Sequence, residues 1–154
     1  MNNTTSFPTI LLIDDDDIEA EGIQRAFRKS SIKSSIFRAR HGIEALELLR
    51  SSKIEQPYII LLDINMPMMN GIEFLKEIRM DKHLSTSIVF ILTTSNNQND
   101  IASAYQEQVA GYLVKSKLDS QFTSLIELLT HYSKVIEFPP SNTSGTNNVF
   151  KDKK

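Results

Sequence analysis

Four short segments carry side chains able to handle a phosphate or a hard cation: Asp14-Asp15-Asp16-Asp17, Asp63-Ile64-Asn65, Thr93-Thr94-Ser95, and Lys115. Ionised carboxylates crowded together repel, and each raises its neighbour's pKa. A divalent cation such as Mg²⁺ relieves that repulsion and prefers oxygen ligands. A carboxylate can also attack phosphorus to give an acyl phosphate. Lysine then offers a mobile charge to one phosphate oxygen, and a threonine hydroxyl can hydrogen-bond another. Taken singly, each residue has a plainer use. Acidic runs before helices cap them and suit their dipoles, which is the expected role of Asp16 and Asp17. Asp and Thr after strands are commonly caps, and lysine there is commonly solvated. The chemistry requires the set to converge.

Convergence depends on the elements between them. Ile10–Ile13, Tyr58–Leu62, Ile88–Leu92 and Tyr112–Val114 are continuous apolar runs, and Ser35-Ile36-Phe37 is a weaker one. Unbroken runs suit parallel strands buried on both faces. Helical stripes lie between them: Ile23, Ala26, Phe27 and Ser30; Ala45, Leu46 and Leu49; Ile72, Leu75 and Ile78; Ile101, Ala104 and Tyr105. Phe122, Leu125, Ile126, Leu129 and Tyr132 form the longest, on a helix expected to begin near Asp119. Asp16 and Glu19 have capping-box spacing at the first helix. The order is a strand and a helix repeated five times, an α/β class with a doubly wound five-stranded parallel sheet and right-handed crossovers. Such sheets place their chemistry outside the carboxyl ends of the strands, near the topological switch point. The acidic, hydroxyl and amine side chains all sit there.

Composition narrows the function. The 154 residues suit one domain, expected over 7–138 with an N-terminal tail at 1–6 and a flexible C-terminal tail at 139–154. A formal net charge of −2 gives no basic surface for nucleic acid. There is no cysteine, which excludes disulfides and thiolate metal sites. No apolar run approaches the roughly 18–20 residues that cross a bilayer, and the N-terminus lacks a signal-peptide pattern. A cytoplasmic protein without a membrane partner is expected.

At Ile10–Asp15, Leu62–Pro67 with Gly71, Ile91–Thr94 and Gly111–Lys115 the chain resembles a response-regulator receiver domain, over about residues 7–136. The resemblance implies a flavodoxin-like, CheY-like fold. It implies a stand-alone phosphoacceptor of a two-component phosphorelay rather than an enzyme acting on other substrates. Residue by residue, Asp63 matches the phosphoacceptor, Asp15 the direct Mg²⁺ ligand, and Asp14 an acidic neighbour acting through water. The backbone carbonyl of Asn65 matches a further Mg²⁺ ligand, and Lys115 the phosphate-pairing lysine. Thr93 and Tyr112 match the switch pair that reshapes the face made by the fourth helix, fifth strand and fifth helix. The implied partners are a sensor histidine kinase or phosphotransfer protein, and a downstream protein or second copy on that face. Within the family, Ile91–Ser95, the long last helix and Phe138-Pro139-Pro140 resemble single-domain receivers paired with bacterial phytochromes.

The chain departs from that pattern at Ser116, where receivers usually have a proline joined to the lysine by a cis peptide. A cis bond without proline costs about 3–4 kcal/mol, and it is still expected here so that Lys115 can reach the pocket. Two other functions share parts of the pattern. An aspartate-nucleophile phosphohydrolase needs Asp-x-Asp, but Asn65 holds the second position and cannot shuttle a proton. A pseudo-receiver, binding partners without phosphorylation, would not require the full acidic set with Thr93 and Lys115.

Overall fold

Aliphatic runs without polar interruption belong inside a sheet covered on both sides. The computed structural model, which describes residues 7–140, puts them there. The elements are β1 (Thr9–Ile13), α1 (Asp17–Lys29), β2 (Ile36–Ala39), α2 (Gly42–Arg50), β3 (Tyr58–Leu62), α3 (Gly71–Met80), β4 (Ile88–Thr93), α4 (Gln98–Gln106), β5 (Gly111–Val114) and α5 (Thr123–Val135), with a 3-10 turn at Lys115–Lys117. All strand pairs are parallel and the sheet order is β2-β1-β3-β4-β5. The chain winds outward from β1 to β2, then crosses back to β3 and continues the other way. That reversal opens a crevice beyond the carboxyl ends of β1 and β3. The residues that share it are Asp14 and Asp63.

Alternation along each strand divides the core in two. Leu11, Ile13, Ile60, Leu62, Val89 and Ile91 face the side covered by α2, α3 and α4. Ile10, Leu12, Ile59, Leu61, Phe90 and Leu92 face α1 and α5. The expected stripes largely lie inward: Ile23, Phe27, Ala45, Leu46, Leu49, Leu75, Ile78, Ala104, Leu125, Ile126 and Leu129 are buried. Tyr105 is not, being 50% exposed on α4.

Two boundaries differ from the sequence expectation. The second strand lies at Ile36–Ala39, running past Phe37 because Arg38 and Ala39 pair with Leu12 and Ile13 of β1. The last helix begins at Thr123, after Phe122 in the left-handed region at φ 57°. Asp119 still sets its start, accepting from the Thr123 and Ser124 backbone N–H groups at 3.0 Å each. Those bonds hold its carboxyl below the ordinary carboxylate range. At the other end, Phe138 packs against the core under α5, while Pro139 and Pro140 lie beside Tyr58 and Ser87. Residues 1–6 and 141–154, assigned above to tails, lie outside the described residues.

One glycine is fixed by a close approach. The Gly71 N–H at the start of α3 donates to the Ile64 carbonyl at 2.9 Å. A Cβ there would sit 2.7 Å from the Asp63 carbonyl oxygen and 2.8 Å from Ile64 Cα. Both obstacles are backbone, so neither can swing aside. Gly71→Ala should therefore cost about 1–3 kcal/mol, the usual range for overpacking. Urea unfolding measures it, and an unchanged midpoint would show that the loop yields freely.

Candidate functional site

Asp14 follows β1 and is 1% exposed. Its N–H donates to the Ala39 carbonyl at 3.0 Å, which extends the sheet ladder by one rung. Its Oδ1 accepts the Asp16 N–H at 2.9 Å. Arg38, from the edge strand, donates through Nε and Nη2 to the Asp14 carbonyl at 2.9 and 2.8 Å. The same guanidinium pairs with Asp17 at 2.9 Å, and Arg40 takes the same Asp17 oxygen at 2.9 Å. Asp16 caps α1, accepting the Ile18 and Glu19 N–H groups. Asp16 and Asp17 are thus occupied with the helix start and the arginines.

Asp63 follows β3 and is 9% exposed. Its N–H donates to the Ile13 carbonyl at 3.0 Å, which locks the ends of β1 and β3 together. Its Oδ1 accepts the Asn65 N–H at 3.1 Å. The loop beyond is held by Gly71 and contains Met68, exposed, with φ 71°. A non-glycine residue in that region costs about 1–2 kcal/mol.

Lys115 brings the charges together. Its ammonium hydrogen-bonds Glu19 Oε1, lies 3.4 Å from Asp63 Oδ2, and lies 3.8 Å from Asp14 Oδ2. Carboxylate oxygens of Asp14, Glu19 and Asp63 all lie within 4.8 Å of one another, close enough to share one metal ion. Burial, then a proton-sharing contact with Glu19, pushes the Asp14 carboxyl up to about 8. For Lys115, burial disfavours the ammonium, but the Glu19 hydrogen bond and the Asp63 and Asp14 charges outweigh it and hold its pKa above the ordinary value.

The Lys115–Ser116 bond, expected to be cis, is trans; among the described residues the cis peptide is Gln56–Pro57. The 3-10 turn Lys115–Lys117 runs on directly from β5 and aims the lysine stem at the crevice without isomerisation. Glu19 is the site residue that sequence reading passed over. Its spacing marked it as the second half of a capping box, but Asp14 takes the Asp16 N–H that Glu19 would otherwise accept. Arg38 has no sequence signature either, being one arginine in a weak strand. Asp15 and Asn65 are both exposed, and Asp15 is not among the three clustered carboxylates.

Thr93 ends β4, fully buried, and its Oγ1 accepts the Ser95 N–H at 3.3 Å. The Ser95 carbonyl accepts the Tyr112 hydroxyl at 3.0 Å, and Ser95 Oγ donates to Asp100 Oδ2 in the first turn of α4 at 2.7 Å. The two residues marked as a switch pair thus meet at Ser95.

The raised Asp14 pKa carries a stability consequence. Its folded pKa lies above the ordinary value of 3.8, so the protonated form stabilises the fold below about 3.8, and that contribution disappears as pH rises through about 8. Lys115 is also raised, but its window begins above its ordinary 10.5 and does not overlap. Without divalent cations, the thermal midpoint should fall as pH rises from about 4 to about 8 and level off above that. Excess Mg²⁺ should flatten that fall, and so should Asp14→Asn. A rising midpoint in the metal-free protein would refute the assignment.

Known proteins share this fold. The response regulator receiver domain family matches residues 10–127. The response regulator Rcp1 of Synechocystis sp. is 33% identical over 112 residues, which cover 70% of this chain and 76% of that protein. The crystal structure of the Mn²⁺-bound form of Rcp1 superposes with a TM-score of 0.76 at 29% identity, covering 86% of this chain and 99% of that one. The phosphorylated cyanobacterial phytochrome response regulator RcpA superposes with a TM-score of 0.77 at 30% identity, covering 88% and 100%. With its strand order, its paired strand-end aspartates and a family match over most of its length, this chain belongs to the response regulator receiver domains.

Proposed function

We propose that the chain is a phosphorylation switch in which Asp63 takes a phosphoryl group from a histidine kinase or a phosphotransfer protein. The observation that carries this reading is Asp63 itself. It is a nearly buried carboxylate at the sheet's switch point, with Lys115 Nζ 3.4 Å from Oδ2 and Asp14 in the same cluster. An Asp63 carboxylate oxygen forms a bond to phosphorus as the bond from phosphorus to the donor histidine nitrogen breaks. The product is an acyl phosphate, and the imidazole leaves. Lys115 pairs with a phosphoryl oxygen as negative charge accumulates. The Thr93 hydroxyl hydrogen-bonds another.

The donors suit Mg²⁺: all are oxygens, and the clustered carboxylates exceed the one ammonium among them. Asp14, Asp15, Asp63 and the Asn65 backbone carbonyl would hold it. When bound, it neutralises charge on the incoming phosphoryl group. Asp63 and Lys115 do the rest.

The partner reading follows from the relatives. RcpA is described as a phytochrome response regulator, and a phytochrome-type sensor kinase in the cytoplasm is the donor we infer here. Output would leave through the face formed by α4, β5 and α5, where Tyr105 is half exposed and Tyr112 reaches Ser95. A downstream protein or a second copy would bind there. Incubation with acetyl phosphate and Mg²⁺ tests the central step. It should give an acid-stable, alkali-labile label on a single carboxyl group. Labelling on no residue, or on several without Mg²⁺ dependence, would favour the pseudo-receiver.

A further inference from the structure

Lys115 enters the crevice on a four-carbon stem from the head of a short 3-10 turn, and such a stem has many rotamers. Its nearest partner there is neither strand-end aspartate but Glu19, on the first turn of α1. Glu19 is free for this task because Asp14 Oδ1 already holds the Asp16 N–H at 2.9 Å. The side chains are 11% exposed for Lys115 and 22% for Glu19, so the pair is partly withdrawn from water and screening. Asp63 lies 3.4 Å from the same ammonium. One contact therefore fixes where the lysine charge sits relative to the carboxylate.

We propose that Glu19 is a positioning residue that holds the Lys115 ammonium against Asp63, and that this is its role rather than ligation of the cation. The proposal rests on the reading of Asp63 as phosphoacceptor. It predicts a separation of two effects. A metal ligand sets how much Mg²⁺ is needed; a residue that aims the lysine sets how fast the loaded site reacts.

Labelling rates with acetyl phosphate, measured across a Mg²⁺ titration, distinguish the two. Glu19→Ala should lower the maximal rate about tenfold and leave the half-saturating Mg²⁺ concentration unchanged. Glu19→Gln keeps an acceptor oxygen at the same reach and should recover most of the rate. In a Lys115→Ala background, Glu19→Ala should have no further effect, because there is no lysine left to aim. Glu19→Asp, one methylene shorter but equally charged, should show a smaller loss of the same kind and serves if the alanine variant does not fold. A change in half-saturating Mg²⁺ alone would overturn the proposal. So would full loss in Glu19→Gln, full additivity with Lys115→Ala, or wild-type rates in both Glu19→Ala and Glu19→Asp. Wild-type protein that takes no label would instead sink the phosphoacceptor reading, so the two failures are distinct.

Discussion

Asp63→Asn should give no phosphoryl adduct under conditions that load the wild type completely. The amide keeps the size and shape of the carboxylate, and its oxygen can still accept the Asn65 N–H bonded at 3.1 Å to Oδ1. It lacks the charged oxygen needed to form a bond to phosphorus. The fold should survive, because the backbone bond from Asp63 to Ile13 is unaffected and Lys115 retains Glu19 and Asp14. Removing one of three clustered carboxylates also lowers their mutual repulsion, so stability should stay level or rise. Intact-mass measurement after acetyl phosphate and Mg²⁺ decides the first point, and thermal unfolding the second. An adduct of wild-type extent on the variant would place the acceptor elsewhere. The exposed Asp15 would be the first suspect.

Much of this site could be located from sequence because chemistry and topology are coupled in a parallel sheet. An unbroken run such as Tyr58–Leu62 must be interior, so the polar residue that ends it, Asp63, must lie at the sheet's edge. The same logic places Asp14, Thr93 and Lys115. It fails where a residue's role depends on a competing hydrogen bond. Glu19 has capping-box spacing, and nothing in the sequence says that Asp14 will claim the Asp16 N–H first. It fails again at β2, where edge exposure weakens the apolar signal and hides Arg38, whose guanidinium clasps the Asp14 carbonyl. The usual proline implies a cis Lys115–Ser116 bond, but with serine there the bond is trans and the 3-10 turn carries the lysine to the crevice. Tyr105 has helical spacing with Ile101 and Ala104, yet it sits at the margin of that stripe and faces outward.

Thr93→Ala and Tyr112→Ala should both accept the phosphoryl group and lose most of the response to it. Neither change removes the nucleophile, its lysine or the acidic cluster. What they remove is the link from the site to the surface. Thr93 Oγ1 holds the Ser95 N–H at 3.3 Å, and the Tyr112 hydroxyl holds the Ser95 carbonyl at 3.0 Å. Ser95 in turn ties to Asp100 in the first turn of α4. A Thr93 hydroxyl drawn to a phosphoryl oxygen must give up or weaken its share of Ser95, and Tyr112 and α4 feel that change through the same residue. A modification shifts an equilibrium only through such a differential contact. The expected coupling is about 1–3 kcal/mol in self-association or partner affinity, a change of roughly 5–150-fold. Sedimentation and partner titration, each with and without beryllofluoride, measure it. Wild type should show the full difference, both variants a small fraction of it, and a chain ending at Pro140 nearly all of it, because Thr93, Ser95, Asp100 and Tyr112 all precede that point. Full coupling in Tyr112→Ala, combined with its loss on truncation, would move the output from the α4, β5 and α5 face to the C-terminal segment.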